Sequence, residues 1–332
     1  MKFNFIKGKN MNKKLNVIII GCGRWGGFIG WYIDHIGHNV TLYGLEDAPS
    51  YQVLKQTRKN EYISLPDSIN LTSDLHEVLD KDIIIISINS QNLRSVCHEL
   101  KDLNIQNKKI ILCMKGLEIS TGKRLSEIVE EIIPSSNKVA VWIGPGHVQS
   151  FYQGIPNCMV IDSNDYETKH FIVNAFSSDL IRFYYGNDLI GNEIGAASKN
   201  VIGIAAGLLD GFGLTSLKGA LMARGTREIA RLIKALGGNE LSAYGLCHLG
   251  DYEATLFSVH SHNRQYGESF AKGEKFDYLA EGYYTLEAII KLNEKLNVDL
   301  PICNALYDIL YLGKDSKSTL NALFKRSLKD EF

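Results

Sequence analysis

Residues 16–43 read NVIIIGCGRWGGFIGWYIDHIGHNVTLY, and the fold class follows from them. The run 16–20 (NVIII) is short and almost wholly apolar, as a strand buried on both faces requires. Gly21-Cys22-Gly23-Arg24-Trp25-Gly26 follows at once. Phe28, Ile29, Tyr32, Ile33 and Ile36 then recur at helical spacing, Gly37 and His38 close that pattern, and 39–43 (NVTLY) reads as a second strand. A GxGxxG string alone says little. Between a strand and a helix, in a βαβ unit of this length, it points to dinucleotide binding. Gly21 permits the tight turn, Gly23 lets backbone approach a pyrophosphate at the helix N-terminus, and Gly26 lets helix pack on strand. The competing reading is a plain structural turn.

The same theme continues outward. Strand-like runs lie at 82–88 (DIIIISI), 109–114 (KIILCM) and 138–143 (KVAVWI), with helical patterns at 74–79, 93–103 and 125–133 between them. Two further strands, 157–162 and 181–185, flank a helix at 165–176. Alternating β and α units predict an α/β fold with a Rossmann-type doubly wound parallel sheet. Ligands of such sheets bind outside the carboxyl ends of the strands, where Asn89-Ser90-Gln91, KGLE (115–118) and GPGH (144–147) fall. Lys115, directly after a strand, is placed to reach a phosphate or polar substrate; a solvated loop lysine is the alternative. After the second strand come Tyr43-Gly44-Leu45, then Glu46 and Asp47. No Arg or Lys stands there to hold a 2′-phosphate, which leans toward NAD and leaves NADP open.

From residue 191 the pattern is almost wholly helical, predicting an all-helical C-terminal domain. In 191–236, Gly195, Ala196, Ala197, Gly203, Ala205, Ala206 and Gly207 alternate with Ile, Val and Leu, as in a buried helix packed closely by its neighbours. Glu193, Lys199, Asn200 and Asp210 lie on that apolar surface. Burial lowers the pKa of a lysine, which makes Lys199 a candidate acid/base group. The alternative is a lysine that snorkels to solvent. The uncharged run 200–209 is half of the ~20 residues that span a bilayer, so no membrane insertion is expected. Arg224, Gly225 and Arg227 lie in a second long helix. Asp251 is expected in a loop, and 261–267 (SHNRQYG) is read as a turn bunching polar donors. His260 and His262, read as a strand pair, lack further ligands at metal spacing, so no metal is expected. Helical patterns at 282–296, 301–312 and 318–328 complete the domain. The expected division is a tail at 1–15, a dinucleotide-binding domain at 16–188 and a helical substrate and catalytic domain at 189–332.

Bulk composition fits an ordinary globular protein. The 332 residues are 45% hydrophobic and 22% charged, with net charge −1, so no basic excess points to a nucleic-acid partner. The six cysteines are scattered without a CxxC pair, which predicts reduced thiols in the cytoplasm. The basic start MKFNFIKGKNMNKK lacks the apolar core of a secretory signal and reads as a loosely ordered tail, with Met11 an alternative start.

Taken in order, GCGRWG (21–26), KGLE (115–118), GPGH (144–147), SKNVIGIAAGLLDG (198–211), MARG (222–225), LGD (249–251), SHNRQYG (261–267) and EG (281–282) resemble the NAD(P)-dependent glycerol-3-phosphate dehydrogenases of the bacterial cytoplasmic type. The resemblance runs from about Asn16 to Asp330. It implies a cofactor, NAD or NADP, held by Gly21, Gly23, Arg24, Trp25, Gly26, Lys115, Val148, His262, Leu279 and Glu281. It implies a substrate, dihydroxyacetone phosphate or glycerol 3-phosphate, held by Lys115, Gly144, Gly146, Lys199, Asp251, Ser261, His262 and Asn263. Lys199 then matches the catalytic proton donor and acceptor, and Asp251 the catalytic carboxylate of the substrate site that tunes it, in a reaction that feeds phospholipid synthesis. The resemblance departs where the family has Arg and this chain has His262, where a hydroxyl residue is replaced by Gly146, and where a basic residue is replaced by Leu45. Histidine offers no bidentate fork to a phosphate; Arg264 is a candidate to reach in, although an arginine there is usual in the family as well. The competing readings are a dehydrogenase of another small phosphorylated polyol or hydroxy acid, and a non-catalytic dinucleotide-binding protein. A homodimer is the expected assembly.

Overall fold

Isoleucines repeated along a strand leave no polar face, so such a strand must be covered on both sides. The computed structural model describes residues 13–327 and meets that demand with an eight-stranded sheet. Its strands are β1 (Asn16–Ile20), β2 (Asn39–Tyr43), β3 (Asn70–Thr72), β4 (Ile83–Ile86), β5 (Lys109–Leu112), β6 (Lys138–Ile143), β7 (Asn157–Asp162) and β8 (Ile181–Tyr185), in the order β3-β2-β1-β4-β5-β6-β7-β8. In register, Ile18 stands between Thr41 and Ile84, and Ile20 between Tyr43 and Ile86. Every pairing is parallel except β6 with β7, where Trp142 faces Ile161. The sheet is therefore mostly parallel, with one antiparallel step near its far edge.

The helices on this sheet are α1 (Arg24–His35), α2 (Pro49–Thr57), α3 (Leu93–Asp102), α4 (Leu125–Ile132), α5 (Val148–Tyr152) and α6 (Tyr166–Phe176). α1 buries Phe28, Ile29, Tyr32 and Ile33, the stripe its spacing predicted. The helical pattern at 74–79 is a 3₁₀ turn, Leu75–Asp80. β3 and α2 had no legible signal. β3 is a polar edge strand of three residues, and α2 buries only Tyr51 and Leu54.

Two compact units divide the chain. Among the described residues, one holds 13–115 together with Lys123–Glu193; the other holds Gly116–Gly122 and 194–327. The boundary thus falls inside α7 (Leu189–Gly211), and a short loop after β5 belongs to the second unit. The expected tail at 1–15 lies mainly outside the described residues.

The second unit is helical: α7, α8 (Lys218–Ala235), α9 (His262–Lys272), α10 (Glu281–Leu296), α11 (Pro301–Leu310) and α12 (Ser316–Phe324). The last of these stops at Phe324, and residue 328 of the expected helix lies outside the described residues. Two local readings need correction. Residues 261–267 are neither turn nor strand: Ser261 caps α9 by accepting from the Arg264 amide at 3.3 Å, and His262 is the first residue of the helix. Asp251 closes a 3₁₀ turn, Leu249–Asp251, rather than lying in open loop. A serine three residues before a free amide is an N-cap signal, which the run of polar side chains obscured.

One face of α7 is a row at four-residue spacing: Gly195, Lys199, Gly203, Gly207, Gly211. Each glycine marks a close approach. A Cβ on Gly203 would meet the Thr255 methyl at 2.8 Å, one on Gly207 the Arg264 carbonyl oxygen at 1.9 Å, and one on Gly211 the Ala271 Cβ at 2.5 Å. Gly267 of α9 returns the contact, its missing Cβ pointing at Ile204 O from 2.1 Å. Elsewhere Glu228 of α8, wholly buried, accepts the Ile302 and Cys303 amides at 2.8 Å each and so ties α8 to the start of α11. Burial pushes its carboxyl up to about 7, against the pull of those amides.

Gly207→Ala is therefore expected to destabilise the protein by about 3 kcal/mol, because backbone rather than a flexible side chain must give way. Gly219→Ala in α8, where a Cβ meets nothing within 4 Å, is expected to gain about 0.5–1 kcal/mol. Chemical denaturation measures both; equal effects would contradict the close packing of α7.

Candidate active site

In the first unit the glycine loop is locked at two positions and open at the third. Gly21 has φ +110°, and a Cβ there would stand 2.2 Å from Ser87 O beyond β4. A Cβ on Gly26 would strike Gly21 O at 1.9 Å. Gly23, by contrast, has nothing within 4 Å of a Cβ position. It is the N-cap of α1, no side chain caps that end, and no acidic residue sits in the first turn. A helix N-terminus with no side-chain cap and no carboxylate in its first turn fits a pyrophosphate. The loop and helix start therefore fit a dinucleotide.

Around that loop, the Arg24 guanidinium lies 4.8 Å over the Tyr62 ring and donates to Gln149 Oε1 at 3.1 Å. Trp25 packs against Phe28 and Phe151, with ring centroids 5.2 and 6.3 Å apart. Lys115 Nζ donates to the Gly144 carbonyl at 2.8 Å, joining the segments after β5 and β6. Val148, buried, opens α5. Gly146 has a steric reason: a Cβ there would lie 2.2 Å from the Phe151 ring, so the hydroxyl residue it replaces has no room. Glu46 also differs from the reading that no cation stands near the end of β2. Lys55 of α2 reaches it at 2.6 Å, and that hydrogen bond holds its carboxyl below the usual range. α2 was not legible, so its lysine was not either.

In the second unit, Lys199 does not snorkel. It is 6% exposed, and its Nζ lies 2.8 Å from Asp251 Oδ2 and 2.7 Å from Thr255 Oγ1. Asp251 is itself 1% exposed. Thr255 donates to the Asp251 carbonyl at 2.7 Å, so its oxygen lone pairs face the ammonium. Thr255 lies in a single π-helical turn, Glu253–Phe257. Such turns shift side chains out of α register and are frequent at functional sites. The pair has both charges out of water, so removing one partner is strongly unfavourable.

Of the other predicted residues of this unit, Asn263 packs on the Lys199 row of α7, its Cβ 3.3 Å from a Cβ position on Gly203. Asn263 Oδ1 accepts the Gly282 amide at 2.8 Å, capping α10 next to Glu281, and a Cβ on Gly282 would meet Asn200 O at 2.4 Å. Ser261 and His262 begin α9, with the His262 ring 5.2 Å from that of Tyr278. Leu279 is exposed. Arg264 does not replace the missing arginine. Its Nη1 binds Asp210 at 2.7 Å and Glu268 at 2.9 Å, while Nε donates to Ser258 O at 3.1 Å. Asp210 also takes Lys218 at 2.6 Å, and these hydrogen bonds hold its carboxyl low despite burial.

Sequence reasoning missed Thr255, His248 and Tyr252. Thr255 lies four residues beyond Asp251, a spacing that points at one helical face only once a helix is known there. His248 and Tyr252 carried no motif, although both are fully buried.

Two family models cover the chain. Residues 16–169 match the N-terminus of NAD-dependent glycerol-3-phosphate dehydrogenase, and residues 188–321 match its C-terminus. A Clostridium tetani glycerol-3-phosphate dehydrogenase (NAD(P)+) is 34% identical over 100% of this chain and 98% of its own. The Fusobacterium nucleatum enzyme of the same name is 35% identical over 96% and 98%. The crystal structure of glycerol-3-phosphate dehydrogenase from Coxiella burnetii superposes with a TM-score of 0.87 at 25% identity, over 94% of this chain and 99% of that one. With both halves matched in order and the glycine loop and buried lysine in place, the chain belongs to the NAD-dependent glycerol-3-phosphate dehydrogenase family.

Proposed function

We propose that this protein interconverts dihydroxyacetone phosphate and sn-glycerol 3-phosphate in the cytoplasm, with NAD or NADP, and so supplies glycerol phosphate for phospholipid synthesis. The buried Lys199–Asp251 pair, 2.8 Å apart, carries this reading. When bound, NAD(P)H supplies the hydride to C2 of the ketone. The chain's own residues do the rest. Gly23 and the α1 amides hold the pyrophosphate, with Arg24, Trp25, Lys115, Val148, Leu279 and Glu281 along the cofactor. The oxygen at C2 gains charge as the carbonyl is reduced and needs a proton, which Lys199 gives from Nζ. Asp251 and Thr255 hold Nζ in place, and in the reverse direction neutral Lys199 takes the proton back. Gly144 and Gly146 line the substrate side, while Ser261, His262 and Asn263, at the start of α9, receive the phosphate. A helix N-terminus suits that anion. Glu46 beyond β2 suits a ribose hydroxyl, while Lys55 paired with it leaves NADP equally open.

A different phosphorylated polyol is the second reading. It rests on His262, an imidazole where the family has an arginine, and on Gly146 in place of a hydroxyl residue. Assembly through the second unit as a homodimer is also proposed. Leu214 and Phe324 are exposed beside an apolar trough of about 840 Å³ lined by α7, α8, α11 and α12.

Purified protein is expected to oxidise NADH with dihydroxyacetone phosphate and not with the unphosphorylated ketone. Lys199→Ala should keep cofactor binding and lose about 10²–10⁴-fold in turnover. Near-normal turnover in that variant would sink the assignment, and equal rates with both ketones would sink the phosphate grip. Sedimentation velocity should report twice the 37.1 kDa chain mass; a monomer at micromolar concentration contradicts the dimer.

A further inference from the structure

Next to the Lys199–Asp251 pair lies a buried polar chain that the reaction does not use. His248 is fully buried, and its Nδ1 lies 2.8 Å from the carbonyl oxygen of Gly195. A carbonyl only accepts, so Nδ1 carries the proton. Nε2 then holds a lone pair, and the Tyr252 hydroxyl, 2.7 Å away, must donate to it. Tyr252 is also fully buried, and Thr226 Oγ1 of α8 lies 3.5 Å from its oxygen. The two rings meet edge-on at 4.8 Å. The chain of donors therefore has one direction only.

Its placement gives it a task. Gly195 lies one helical turn before Lys199, and its carbonyl is the acceptor position for the Lys199 amide in an α-helix. His248 lies three residues before Asp251 and begins the 3₁₀ turn that ends there. The same two segments are thus joined twice, by His248 on Gly195 and by Asp251 on Lys199. A lysine has four side-chain torsions, so an ion pair alone leaves the turn free to slide against α7. The second joint removes that freedom. It also explains Gly195, where a Cβ would lie 3.0 Å from the Cβ of His248. Burial pushes the imidazole down to about 4, so no second cation stands beside the ammonium.

We infer that His248, oriented by Tyr252, is a positioning residue that holds the Asp251 turn against α7 and so aims Lys199 Nζ. This rests on Lys199 as the proton donor. The role lies in one hydrogen bond, from Nδ1 to the Gly195 carbonyl, so the decisive comparison is between side chains of like size with and without that donor. Asn places an amide N–H where Nδ1–H stood, and Leu does not.

Steady-state kinetics with dihydroxyacetone phosphate and NADH on full-length protein make the test. His248→Leu should lose about 10-fold or more in kcat, with the cofactor KM unchanged, and His248→Asn should recover most of it. Equal loss in both variants, or loss in neither, overturns the inference. The Lys199→Ala control keeps the two ideas apart. If it is inactive while both His248 variants behave alike, only the positioning role fails; if it stays active, the reading beneath fails. Should His248→Leu not fold, ¹⁵N spectra of the wild-type protein decide. His248 is expected as the Nδ1–H tautomer at neutral pH, and an Nε2–H tautomer overturns the inference.

Discussion

The close packing of α7 is the constraint on which the second unit depends. Four-residue spacing puts Gly195, Lys199, Gly203, Gly207 and Gly211 on one line of the helix. Where the line is glycine, neighbours close in, with the Arg264 backbone at Gly207 and the Thr255 methyl at Gly203. Where it is lysine, a long side chain enters a space that those contacts have closed to water. The cation then has to be matched within the protein, and Asp251 with Thr255 does so. The buried lysine and the fold that encloses it are thus products of the same residue pattern.

Each buried charge of this chain is answered by a different local device. Glu193, which burial pushes up, accepts from the Ser126 amide, the Ser126 hydroxyl and Arg124 at the start of α4. Glu228 accepts two amides at the start of α11. Asp210 collects Lys218 and Arg264. Those groups are consumed by structure. Lys199 differs in its company: Asn263, matched to the family's substrate contacts, packs on the same row of α7, its Cβ 3.3 Å from a Cβ position on Gly203. Buried partnered charge is therefore common here and does not mark a site; its neighbours do.

Much of this was legible in sequence, and the rest was hidden for identifiable reasons. β1, β4 and β5 carry apolar runs that admit only a buried strand, and the glycine loop sits between strand and helix. The stripe of small residues announced a buried α7, yet whether Lys199 reached solvent depended on Asp251, 52 positions away, and spacing along a helix cannot report a partner that distant. β3 and α2 bury too little to leave a pattern. The polar run at 261–267 hid a helix because its first residues are cap and site rather than apolar face. Gly146 looked like the loss of a hydroxyl until the Phe151 ring explained it. His248 and Tyr252 belong to no motif, and only the fold brings the imidazole to the Gly195 carbonyl.

The two units contribute different chemistry. The first holds a helix N-terminus without a side-chain cap at Gly23, the second a buried lysine paired with a carboxylate. The most direct measurement of the account is a crystal structure of the protein with its dinucleotide and glycerol 3-phosphate bound. The account predicts Lys199 Nζ within about 3 Å of the oxygen on C2, still paired with Asp251, and the phosphate at the start of α9. A ternary complex with Nζ turned away from that oxygen, or with the phosphate held elsewhere, would contradict it.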